Sequence, residues 1–146
     1  MAKRFRFRLE SVLTYRTQLE NERQREFGEI RRKYKDKERQ IHDLNRLFSQ
    51  VQEQFTDAKR KSGDIRMWLS YQSYLNDLRK NLFSCHREIG EISRKLEEKR
   101  RELVKASRDR TILEKLKEKR KDAYMKDVRL SEQKEMDEIA LRNYYG

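Results

Sequence analysis

Residues 59–66 read Lys-Arg-Lys-Ser-Gly-Asp-Ile-Arg, the one place in the chain where serine, glycine and aspartate come together. Gly63 can adopt the left-handed geometry that ends a helix, and Asp64 or Ser62 can cap the next one. On either side of this break, apolar residues recur at alternating spacings of three and four. That period lines first and fourth heptad positions along one seam of a helix facing a partner helix.

Before the break the seam runs through Phe5, Leu9, Val12, Leu19, Phe27, Ile30, Tyr34, Ile41, Leu44, Phe48, Val51, Phe55 and Ala58. Arg16, Arg23 and Lys37 fill the gaps. At Leu19, Arg23 and Phe27 two spacings of four follow each other, an irregularity expected to unwind a supercoil locally. After the break, strict alternation runs from Trp68 through Tyr71, Leu75, Leu78, Leu82, Cys85, Ile89, Ile92 and Leu96. It continues through Lys99, Leu103, Ala106, Arg110, Leu113, Lys117 and Arg120 to Tyr124.

The expected fold is therefore all-α: two long helices forming one antiparallel coiled-coil hairpin over residues 1–146. Helix 1 is expected at about 5–60, the turn at about 60–66 and helix 2 at about 66–142. With the turn centred on Gly63, facing residues have numbers totalling about 126 to 130. The first helix is then ~80 Å long, and the last ~20 residues of the second overhang the N-terminus without an intramolecular partner.

Composition agrees. The chain has 146 residues, no proline and four glycines, with 44% charged and 34% hydrophobic residues. About seven prolines would be usual at this length. Too few turn formers are present for a sandwich, barrel or doubly wound sheet, and the apolar fraction suffices for a narrow seam rather than a thick core. The single cysteine, Cys85, cannot make an intramolecular disulfide or a multi-cysteine zinc site, so a reduced, cytosolic setting is expected. No apolar run approaches a membrane span, and a signal peptide is not expected after the basic MAKRFRFRLE start. Glycine-rich phosphate loops, nucleophile elbows and HExxH helices are all missing from the sequence, so neither an enzyme nor a cofactor is expected.

Charge is unevenly placed. The net charge is +12, yet from Arg129 onward three basic residues stand against four acidic ones, a net of −1 that leaves +13 on residues 1–128. The N-terminal Lys3, Arg4, Arg6 and Arg8 alternate with Phe5 and Phe7, and the hairpin would bring them beside Lys115, Lys117, Lys119, Arg120 and Lys121. Such a basic, aromatic end suits an acidic surface or ring; a solvated helix start is the plainer reading. In the second seam, Trp68 to Leu96 is apolar, whereas Lys99, Arg110, Lys117 and Arg120 are basic and would face Arg16 and Arg23. The half near the turn is thus expected to be firm and the half with the termini loose.

Two side-chain groups stand out further. Tyr74, Leu78, Asn81 and Cys85 form one edge at spacings of four, three and four, suited either to docking a partner or to capping the turn. Cys85 is expected to pack in the seam and His86 to be exposed; adjacent residues point in different directions on a helix and do not make a nucleophile–base pair.

Three stretches carry a family resemblance. FRFRLESVLTYR (5–16), with Phe5, Phe7, Leu9, Val12, Leu13 and Arg16, resembles the opening pattern of the FliJ family of the bacterial flagellar type III export apparatus. SGDIRMWLSYQSYLNDL (62–78) is similar to that family's inter-helix region. LEKLKEKRKDAYMKDVRLSEQKEMDEIALR (113–142) is similar to its C-terminal block, with Leu113, Glu114, Leu116, Glu132, Gln133, Lys134, Asp137 and Glu138 at matching places. The resemblance implies a non-catalytic coiled-coil stalk, like the central stalk of rotary ATPases. Its end with the termini would enter the export ATPase hexamer, its middle would contact the cytoplasmic domain of the export gate, and it would handle export chaperones. Carried onto this chain, Phe5, Phe7, Arg8, Leu9, Arg120, Gln133, Asp137 and Glu138 would serve the ATPase ring, and Tyr74, Leu78, Asn81 and Cys85 the gate. Location would be cytoplasmic, peripheral at the membrane through the gate. A charge of +12 departs from a neutral stalk and leaves room for anionic lipid or acidic partners. A nucleic-acid-binding coiled coil and a structural scaffold or virulence-secretion stalk are the alternatives. Nucleic acid is not expected as a partner, because acidic residues interrupt both helices.

Overall fold

The computed structural model describes residues 4–145. Among them are two helices and no strand: α1, Glu10–Lys61, and α2, Ile65–Tyr145. The fold is the expected antiparallel helical hairpin. Its packing divides into two units, one of residues 24–102 and the other of residues up to 23 and from 103 onward.

The turn differs from expectation in one respect. No described glycine has a positive φ, so Gly63 does not use left-handed geometry. Side chains make the turn instead. The Asp64 N–H donates to Ser62 Oγ at 3.2 Å, and Asp64 Oδ1 accepts the N–H of Arg66 at 3.0 Å, capping the free donors at the start of α2. Lys59, Arg60 and Lys61 occupy the last turn of α1, where cations face the negative end of the helix dipole.

In the unit of residues 24–102, Val51, Phe55, Leu75 and Leu78 form a buried cluster, flanked by Leu44, Leu47, Phe48, Trp68 and Tyr71. Full burial of each such side chain contributes about 1.5–3 kcal/mol. The rings of Phe55 and Tyr71 lie 5.5 Å apart, Lys59 Nζ sits 3.9 Å above the Phe55 ring, and the Arg79 guanidinium lies 5.4 Å from the Phe48 ring. The Phe55–Tyr71 and Phe48–Arg79 pairs, with Lys37–Glu88 at 2.5 Å, join the two helices and have numbers totalling 125 to 127, one short of the expected range at its low end.

In the other unit, Phe7, Leu13, Ala106 and Leu113 are buried. Two expectations are corrected here. Helix 1 begins at Glu10, not at residue 5: the Glu10 N–H donates to the Phe7 carbonyl at 3.2 Å, so the chain approaches the helix through a turn. The seam also runs differently. Leu13 is 7% exposed and Val12 37%, and Glu20 has a side chain only 12% exposed. The sequence Leu9, Leu13, Arg16, Glu20, Arg23, Phe27 keeps strict four-three alternation, so the expected irregularity is not needed. Glu20 occupies a seam position and pairs with Arg110.

Candidate interaction surfaces

Three of the four basic seam residues of α2 are met by carboxylates of α1, which the sequence reading had not set against them. Lys117 pairs with Glu10 at 3.0 Å, Arg110 with Glu20, and Lys99 with Glu26 at 3.2 Å. Arg110 also reaches Glu114 at 2.5 Å, and Lys99 reaches Glu102 at 3.3 Å. Hydrogen bonds donated to these carboxylates raise the Arg110 and Lys99 pKa above their ordinary values. Arg16 adds a bond from Nη1 to the Asp109 carbonyl oxygen at 2.9 Å. The half expected to suffer from facing cations is thus held by alternating charge.

Of the residues assigned to the end with the termini, three come together. Phe7 is buried beneath the Arg120 guanidinium, 5.8 Å from its ring centroid, and Phe5 lies half-buried against Tyr124 with centroids 5.6 Å apart. A cation over an aromatic face is attracted by the ring quadrupole. Leu9 is half-buried and Arg8 exposed; Lys3 lies outside the described residues. Gln133, Asp137 and Glu138 do not join this cluster. They sit beyond it on α2, Asp137 seventeen residues past Arg120, or ~25 Å along the helix. Every residue from 129 to 145 is exposed, including Leu130, Met136, Ile139, Leu141, Tyr144 and Tyr145.

The edge assigned to the middle is split. Leu78 and Cys85 are each 4% exposed and belong to the interhelical packing, while Tyr74 is 45% exposed and Asn81 is exposed. Cys85 packs in the seam and His86 lies at the surface, as expected. Beside this edge, Lys37 and Glu88 hold each other charged. Their hydrogen bond and mutual attraction raise the lysine pKa and lower that of the carboxyl. Leu69 and Phe83, which the three-four spacing leaves off the seam, are exposed, and so is Ile65.

No described helix is long and apolar enough to cross a membrane. Comparison with curated proteins and with solved structures finds no match. A family model described as "Flagellar FliJ protein" matches residues 5–146, nearly the whole chain. The heptad seams, the capped turn and the aromatic N-terminal end therefore belong to a component of the flagellar export apparatus, and the chain is a member of the flagellar FliJ protein family.

Proposed function

We propose that the chain is a non-catalytic stalk of the flagellar export apparatus, linking the export ATPase hexamer to the cytoplasmic domain of the export-gate membrane protein and handling export chaperones. The observation that carries this reading is the bare end of α2. Residues 129–145 expose four large aliphatic side chains among Glu132, Glu135, Asp137 and Glu138. An amphipathic end of this kind gains stability when a partner covers it. Insertion into a ring would cover it from several sides, with Phe5, Phe7 and Arg120 at its base in the same packing unit. The exposed Tyr74 and Asn81 would meet the gate, while Leu78 and Cys85 hold the helix beneath them. The chain would then work in the cytoplasm, at the membrane through the gate.

Capture of the cognate export ATPase by the full chain, together with ATP turnover, tests the reading. The full chain is expected to promote ring assembly and raise turnover. A chain ending at Val128 should lose most of that effect, and Tyr74→Ala should retain it while weakening gate binding. No capture and no change in turnover by the full chain would remove the stalk reading.

A further inference from the structure

The arc of α2 opposite its seam, from Ile65 to Arg94, has a composition that neither hairpin packing nor the stalk reading requires. Arg66, Lys80, Arg87 and Arg94 recur at multiples of seven residues and stay on one line of the helix, and all four are exposed. They form no ion pair among the described residues. Three positions beyond Arg66 and Lys80, on the same arc, stand Leu69 and Phe83, 58% and 73% exposed. Of the three carboxylates of this stretch, Glu88 borders the seam, whereas Asp77 and Glu91 stand three positions before Lys80 and Arg94 and flank the basic line on the side away from Leu69 and Phe83. Arg79 lies at its margin, leaning over Phe48.

We infer that this face binds directly to an anionic lipid surface, beyond the gate-mediated association proposed above. Cations near an anionic leaflet are each attracted by its surface potential, and apolar side chains between them can enter the boundary between headgroups and acyl chains. Solubility alone would call for the cations but not for an exposed phenylalanine and leucine among them. Phosphate contacts along a nucleic-acid duplex would likewise leave Leu69 without a role. The face is a convex ridge on one helix, a shape that a deformable bilayer can accommodate.

Sedimentation of the full chain with vesicles of phosphatidylcholine, alone or mixed with phosphatidylglycerol, tests this. Binding is expected only to the mixed vesicles and should fall with added salt. Lys80→Glu/Arg87→Glu/Arg94→Glu should weaken it at least ~10-fold, whereas reversing the exposed α1 cations, Lys33→Glu/Lys35→Glu/Arg39→Glu, should leave most of it. Leu69→Ser/Phe83→Ser should remove the part that survives high salt, and this variant decides the matter if the triple reversal loses helicity by circular dichroism. The inference is overturned by absence of binding to mixed vesicles, by equal loss in the α1 control, or by unchanged binding of the Leu69/Phe83 variant. Tighter, triple-sensitive binding to a DNA duplex than to vesicles would overturn it in favour of nucleic acid. ATPase stimulation measured without membranes is independent of every one of these outcomes.

Discussion

Glu20 and Arg110 face each other at seam positions of α1 and α2, where the coiled-coil pattern ordinarily places apolar side chains. Their side chains are 12% and 23% exposed. A charge removed from water to this degree is costly to leave without its partner. Glu20→Ala and Arg110→Ala are each expected to lower the melting temperature. The exchange Glu20→Arg/Arg110→Glu should recover part of the loss, although Glu114 would then repel the new carboxylate. A thermal-denaturation double-mutant cycle reads the coupling, and strictly additive losses would show that the pair acts independently.

Leu78 and Tyr74 stand about one helical turn apart and have opposite fates. Leu78→Ala empties a packed site in the cluster with Val51, Phe55 and Leu75 and should cost about 2–5 kcal/mol of unfolding free energy. Tyr74→Ala at the surface should stay within about 0.5 kcal/mol of the parent. Urea denaturation distinguishes them. Gate binding lost by the Leu78 variant alone would accordingly report on folding, not on contact.

Stability should form a plateau around neutral pH. The Lys37 hydrogen bond lowers the Glu88 pKa below its ordinary 4.5, and Arg100 does the same for Glu97, so their contributions exist above that value and are lost as pH falls through the lowered pKa. Glu88 and Glu26 raise the pKa of Lys37 and Lys99 respectively above 10.5; those contributions are complete below that value and disappear as pH rises through the raised pKa. Melting temperatures measured across pH should therefore fall at both extremes. Glu88→Gln should lower the neutral plateau and converge with the parent in acid.

Hydrogen exchange should protect residues 30–58 and 75–96 more than 5–25 and 100–124, because the larger apolar cluster lies in the first set. Added salt should widen the gap, since Glu10–Lys117 and Glu20–Arg110 hold the less apolar unit and charge attraction is screened. Equal protection, or a gap that narrows with salt, would contradict this.

A chain ending at Val128 should melt within a few degrees of the full chain, because residues 129–145 bury no side chain against the hairpin. A large drop would mean that the bare end contributes to folding.

The period of the seams and the position of the turn were legible because helix pairing needs apolar side chains every three or four residues. The path of the seam near the N-terminus was not. Val12 and Leu13, and Leu19 and Glu20, are adjacent; continuing the alternation from Phe5 and Leu9 selects Val12, and counting only apolar residues selects Leu19 over Glu20. Arg110 on the facing helix makes Glu20 the better occupant. Phe7 escaped for another reason: it is buried from a turn, which has no helical period to reveal it. At the turn the capping chemistry of Asp64 was readable, whereas assigning left-handed geometry to Gly63 credited glycine with a task that Ser62 and Asp64 perform. The Tyr74–Cys85 edge was drawn from spacing alone, which cannot separate the seam from its border.

A ladder of leucines would be nearly as comfortable after one helix slid seven residues along the other. With Glu20 and Arg110 in place, such a slide would set the arginine beside Leu13 or Phe27 and the glutamate beside Leu103 or Lys117. Three of these four displaced meetings strand a charge against hydrocarbon, and all of them lose the native pairing. The charged rungs therefore act as a vernier, distinguishing one alignment from neighbouring ones that hydrophobicity alone would tolerate.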